Sequence, residues 1–169
     1  MLGPTKELVL KRSTILAREE VRTSNLIFLG PAKSNRQLPD LPIEQDFVIE
    51  QGAIRNLRPR NGEASIYQKP SAPDVEDIPD DYALITRMRG VAGWGDVVVL
   101  ASTSTEDTWA AAEFVTNPAL LGAMIERIKQ PNGAAPDNFQ AVIRSRFKSQ
   151  VPIQMEFVTH HAVGLKQTK

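Results

Sequence analysis

Short apolar runs separated by loops organise this chain, and their periods predict its elements. Residues 5–22 carry Leu8, Ile15 and Val21 among Lys, Arg and Glu at spacings that fit neither the helical nor the strand period, so this N-terminal extension (1–23) reads as helix or strand alike. Asn25–Gly30 (NLIFLG) is an apolar run closed by Gly30 and Pro31, the pattern of a buried strand. Pro31, Pro39 and Pro42 forbid a long helix in the loop that follows. Asp46–Gln51 reads as a short strand, and Asn61-Gly62 as a hairpin turn returning through Ala64–Gln68. Pro70–Asp81 is rich in proline and acid and predicts an exposed loop.

Tyr82–Arg89 alternates as a strand does, and GVAGWG (90–95) predicts a glycine-rich turn. Asp96–Ala101 (DVVVLA) is β-branched and apolar on both faces, as expected of a strand covered on both sides. A helix follows at once. Thr103 with Glu106, or Ser104 with Asp107, has capping-box spacing, and Trp109, Ala112 and Val115 or Thr116 would form its inward stripe. Asn117-Pro118 starts a second helix on Leu120, Leu121, Met124, Ile125 and Ile128, with Asn132-Gly133 as its stop. Alternation over Phe139–Phe147 and Val151–Phe157 predicts a closing hairpin, Pro152 placing its second strand at an edge. The expectation is an α/β (or α+β) domain over 24–163 with a frayed tail at 164–169. Its mixed sheet would have two central parallel apolar strands, a helix pair after the second, and an antiparallel C-terminal hairpin.

Composition narrows the chemistry. The absence of cysteine excludes disulfides, thiolate catalysis and iron–sulfur clusters. Formal net charge is zero, which argues against nucleic acid or an anionic membrane as main partner and removes a repulsion opposing homo-oligomers. No apolar run approaches the roughly 20 residues that span a bilayer, and the N-terminus lacks a signal-peptide core, so the expected place is the cytoplasm.

The most informative constellation is a strand, then Ser102-Thr103-Ser104-Thr105, then a helix. Exposed N–H groups at a helix start, with hydroxyls beside them, suit an anion. Open α/β sheets bind ligands at the carboxyl ends of their strands. The first apolar strand ends in Gly30, Lys33, Ser34 and Asn35; if the two strands are neighbours, both loops face one crevice, with Lys33 and Arg36 supplying charge. Helix capping explains the same Ser and Thr residues without a ligand, and Glu106 and Asp107 sit where they would repel a phosphate. Neither a dinucleotide fingerprint nor a P-loop is present.

The other motifs favour plain explanations. His160 and His161 are adjacent, point to opposite strand faces, and read as structural. The acids at 74–81 lack the glycine and ligand spacing of a calcium loop, so no metal and no cofactor is implied. Arg144, Arg146 and Lys148 read as a solvated strand face balanced by Gln154 and Glu156, and Arg55, Arg58 and Arg60 form a second basic cluster without interleaved aromatics for base stacking. Trp109 reads as core. Trp94, between two glycines, is the candidate interaction surface.

The segments NLIFLGPAKSN, DDYALITRMRG, GDVVVLASTSTEDTWAAAEFVTN and FQAVIRSRF, spanning residues 24–160, resemble an α/β domain of uncharacterised function found in bacterial signalling proteins, often C-terminal to a winged-helix or other signalling module. The resemblance implies a sensory or interaction role. Arg36-Gln37 stands where that family has proline and tryptophan, and Ser102 where it has glycine; both departures fall in the proposed ligand loops. No winged helix is recognisable in this chain.

Three functions follow in order. The first is a non-enzymatic regulatory domain that senses a small anionic metabolite or nucleotide through Gly30, Lys33, Ser34, Asn35, Ser102, Thr103, Ser104 and Thr105. The second is an oligomerisation or signalling-protein interaction module built on Trp94, the final hairpin and the N-terminal segment. The third is a hydrolase or transferase using the same crevice, for which no nucleophile–base pair is visible.

Overall fold

A computed structural model describes residues 8–70, 80–90, 94–149 and 151–166. The expected acidic loop falls mostly outside these residues, as do half of the expected glycine-rich turn and the end of the tail.

The elements are α1 (Arg18–Thr23), β1 (Leu26–Leu29), β2 (Phe47–Glu50), β3 (Ala53–Asn56), β4 (Ile66–Tyr67), β5 (Asp80–Met88), β6 (Val97–Ser102), α2 (Thr105–Thr116), α3 (Pro118–Ile128), β7 (Phe139–Lys148) and β8 (Val151–Ala162). Five strands form a mixed sheet in the order β1-β6-β5-β7-β8. Only the β1–β6 pair is parallel, with Leu26 opposite Val97 and Leu29 opposite Leu100. The α/β class, the parallel apolar pair, the helix pair and the antiparallel hairpin are thus as the sequence predicts. Within that sheet β1 takes the edge and β5 the centre. Strand β5 begins at Asp80, two residues into the expected loop, because Asp80–Met88 pairs with β6 on one side and β7 on the other.

The centre of the main sheet is covered on both faces, which is why β6 is apolar; on β1, by contrast, Ile27 and Leu29 are exposed, so the first apolar run is not the buried strand expected, because an edge strand lies beyond the reach of the helices. One face (Leu100, Ile85, Ala141, Ile143) packs under α2 and α3 through Ala111, Phe114, Met124 and Ile128. The other face meets two clusters. One joins Val97, Val99 and Ala101 to Phe28, Leu38, Leu41 and Ile43. The second joins Leu84 and Val142 to Phe47, Ile54 and Tyr67 of a small sheet ordered β2-β3-β4. The β2–β3 turn is a two-residue loop with Gln51 and Gly52 both at positive φ, the combination a twist-matched tight hairpin requires. Asn61-Gly62 does lie between paired strands, but in a longer loop whose return strand is only Ile66–Tyr67.

Both helices start as predicted. Ser104 caps α2 by accepting from the Asp107 N–H, and Asn117 accepts from the Ala119 and Leu120 N–H groups ahead of Pro118. The buried stripe of α2 is Asp107, Ala110, Ala111 and Phe114 rather than Trp109 and Ala112. These positions follow the i, i+3, i+4, i+7 pattern, and the polar member at its head hides the phase. Helix α3 stops at Ile128, before Asn132-Gly133, since Pro131 disfavours helical backbone at Gln130. Among the described residues no helix is long and apolar enough to cross a membrane.

Candidate functional site

The parallel pairing of β1 and β6 brings their carboxyl ends side by side. The Gly30 N–H donates to the Leu100 carbonyl at 2.8 Å, the last rung of the pair. The chain then turns at Gly30, whose φ of +94° is strained for any other residue, although a Cβ there would have room. The following loop closes on itself, Ser34 N–H donating to the Pro31 carbonyl at 2.9 Å. Asn35 is buried and donates Nδ2–H to the Leu29 and Gly30 carbonyls at 2.8 and 3.0 Å. It holds the loop in shape rather than facing the crevice.

Between this loop and the start of α2 lies a cavity of 520 Å³. Gly30, Lys33 and Ser34 line it from one side and Ser102, Thr103, Ser104 and Thr105 from the other. Every ligand residue expected from sequence except Asn35 therefore meets there. Leu29, Pro31, Thr108, Trp109 and Ala112 complete the lining. Trp109 is 44% exposed and Leu29 53% exposed, giving the crevice an apolar wall. The indole N–H of Trp109 donates to Glu113 at 3.0 Å, which fixes the ring along the outer face of α2. Once the helix is phased from Asp107, this outward position is legible in the sequence.

The hydroxyls divide into two sets. Ser102 is buried and donates to the Tyr82 carbonyl at 2.7 Å. Ser104 is engaged with Asp107, accepting its N–H at 3.1 Å and bonding its carboxyl. Thr103, Thr105 and Ser34 are left to face solvent or a ligand, with the exposed Lys33. The Thr105 and Glu106 amides of the first helical turn receive no acceptor from the described residues. Neither acid of that turn lines the cavity. Glu106 is exposed, and Asp107 turns inward, its Oδ1 accepting from Ser145 Oγ at 2.5 Å. Burial, and then the facing carboxyl of Asp81, push Asp107 up to about 6.

The other sequence candidates lie elsewhere. His161 is 1% exposed, its Nδ1 2.8 Å from Asp46 Oδ2 and its Nε2 2.9 Å from Glu63 Oε2, and Phe47 packs against the ring at a tilt. Such burial gives a substrate no access; the imidazole joins β8 to the small sheet. Burial opposes ionisation of Glu63, but hydrogen bonds from the Arg60 amide, Thr159, His161 and Asn56 outweigh it and bring it down to about 2. Arg144 and Arg146 both pair with Asp80, and Arg144 also with Glu156. Arg58 pairs with Glu44 and Asp46. Arg55, Arg58, Arg144 and Arg146 of these clusters are thus spent on acids of the same chain. Trp94 is half-buried against the Phe28–Val97 cluster and walls a second groove of 930 Å³ beside Leu16, Arg18, Arg22 and Arg36. Among the described residues no group of His, Asp and Glu side chains is placed to hold a metal ion. No family model, curated protein or solved structure matches the chain.

Proposed function

We propose that this chain is a non-enzymatic regulatory domain that binds a small anionic metabolite or nucleotide in the cavity between Gly30–Ser34 and Ser102–Thr105. The observation that carries the reading is the meeting of three features in one 520 Å³ space. The first-turn amides of α2 have no acceptor from the described residues, Lys33 is the one cation among the described residues of the lining, and Leu29 and Trp109 offer an apolar wall. An anionic group would sit at the amides and Lys33, with a flat or apolar portion against Trp109. The hydroxyls of Ser102 and Ser104 are committed to the fold, so specificity falls to Thr103, Thr105 and Ser34. A sensory role, as the resemblance to signalling-protein domains implies, would use this binding to alter contacts with a partner.

The test is a thermal-shift screen against nucleotides, phosphorylated sugars and small carboxylates. A ligand at 100 times its Kd stabilises by about 2.7 kcal/mol, several degrees for a domain of this size. Lys33→Ala and Thr103→Ala are expected to abolish the shift while leaving the unliganded Tm within about a degree, since both side chains are exposed. Shifts that survive both substitutions would place binding elsewhere. If no compound acts, the interaction-module reading takes precedence. Exposed Val151 and Ile153 near the hairpin turn favour it, and the solution mass tests it.

A further inference from the structure

We propose that two copies of this chain pair by exchanging N-terminal arms, Leu8–Leu10 of each adding as a strand to the open edge of β1 in the other. Nothing in this contact requires a ligand in the cavity.

Strand β1 is paired on one side only. The Leu26 N–H donates to the Asp96 carbonyl and the Gly30 N–H to the Leu100 carbonyl, each at 2.8 Å, so residues 26, 28 and 30 turn their backbone groups toward β6. The N–H and C=O of Ile27 and the N–H of Leu29 therefore face the open edge, where no described strand pairs with them. The Leu29 carbonyl is already held by Asn35 Nδ2. Protected edges carry charge, proline or a bulge. Leu26–Leu29 has none of these. Instead Ile27 is 65% exposed, and Leu29 shares an exposed apolar surface with Trp109.

The arm has matching properties. Leu8 is 91% and Leu10 93% exposed, with Val9 exposed between them. Three consecutive exposed apolar residues are a fault in a chain that stays alone, and make sense where they have a partner. The segment is not helical, and Arg12 at its root is extended, with φ −74° and ψ 136°. Leu8 and Leu10 have the two-residue spacing of Ile27 and Leu29. Strand pairing places all four on one sheet face, the face on which α2 carries Trp109.

The root of the arm selects a second copy as the occupant. Ser13 Oγ donates to the Ser34 carbonyl at 2.9 Å, Gln37 donates to the Ser13 carbonyl, and Lys11 pairs with Glu20 of α1. Rooted there, Leu8–Leu10 stand clear of their own β1, and both surfaces remain exposed. A second copy meets the edge with all these bonds intact. Exchange about a two-fold axis satisfies both arms and both edges at once. Zero net charge leaves no overall repulsion against it. Two short arms make a small interface, so the dimer belongs with the weak, concentration-dependent assemblies.

The test is sedimentation velocity on the full chain from about 5 to 500 µM, a range that brackets a weak complex. The average mass is expected to rise from 18.7 kDa toward twice that value. Leu8→Ser with Leu10→Ser, and separately Ile27→Lys, should hold it at the lower value throughout. Their Tm at low concentration should stay within about a degree of the parent's, because these side chains are exposed. Ile153→Lys, on the opposite edge strand, should leave the rise unchanged. In an equal mixture of isotope-labelled and unlabelled parent, filtered NOEs are expected from the Leu8 or Leu10 methyls of one copy to Ile27 or Leu29 of the other. A parent that stays at 18.7 kDa overturns the proposal. So does a dimer that survives either set of substitutions, or one that only Ile153→Lys abolishes. NOEs between arm and edge in the dilute parent, with none across copies in the mixture, would place the arm on its own β1 and overturn it as well.

Discussion

His161→Ala is expected to destabilise the protein by about 3–5 kcal/mol, the range for removing one partner of a buried charged cluster. The ring nitrogens lie 2.8 Å from Asp46 and 2.9 Å from Glu63, and Phe47 covers the ring. Alanine leaves two carboxylates facing a cavity. Arg58, 3.2 Å from Asp46, and the Asn56, Thr159 and Arg60 bonds to Glu63 soften the loss but do not fill the space. Urea unfolding measures the effect. Neutralising the acids as well (Asp46→Asn and Glu63→Gln with His161→Ala) should recover part of it, because the penalty lies in the orphaned charges. The same cluster sets the acid limit. Glu63 has a folded pKa held down to about 2, below its ordinary value, so its stabilisation is complete above about pH 4.5 and is lost as pH falls toward 2. A His161→Ala protein as stable as the parent would show that the small sheet is docked by its apolar contacts alone.

Gly95→Ala is expected to have a comparable effect for a different reason. A Cβ at Gly95 would lie 2.0 Å from the Ser24 carbonyl oxygen and 2.7 Å from its carbon. Both atoms are backbone, so no side chain can rotate away. Relief requires the α1–β1 junction to move, and that junction is tied by Gly95 N–H to the Val21 carbonyl, Asp96 N–H to Asn25 Oδ1 and Leu26 N–H to the Asp96 carbonyl. The cost should reach at least about 3 kcal/mol, the top of the usual range for overpacking. Amide exchange in Leu26–Leu29 should accelerate most, because β1 is an edge strand held by β6 alone. The control is Gly122→Ala, with open space at its Cβ and a place inside α3, which should stabilise by about 0.5–1 kcal/mol. Equal tolerance of both substitutions would contradict the close approach at Gly95.

What the sequence reveals and hides follows from the same physics. Strand β6 is legible because burial on both faces leaves a continuous apolar run, β1 because its apolar run is closed by Gly30 and Pro31, and the helix starts because Ser104 and Asn117 cap by local bonds. The cavity is legible for a topological reason: two apolar runs of similar length, each ending in small polar residues, imply neighbouring carboxyl ends. The hidden features depend on partners distant in the chain. Gln140 stands on the polar side of the β7 alternation, yet it is buried, accepting from the Asp46 and Phe47 amides and donating to the Phe47 carbonyl. His161 reads as structural, but nothing local announces its acids at 46 and 63. Trp109 reads as core because the true stripe of α2 is headed by a buried aspartate, a residue rarely counted as inward.

The most direct measurement for the binding cavity is a two-dimensional amide NMR titration with whichever compound gives the largest thermal shift. The expected result is a set of saturable shifts led by the Thr105 and Glu106 amides, with Gly30, Ser34 and the Trp109 indole N–H, and none at His161 or along β8. Saturable shifts centred on Trp94 and Arg18–Arg22, with Thr105 and Glu106 unmoved, would contradict the account and move the ligand to the second groove.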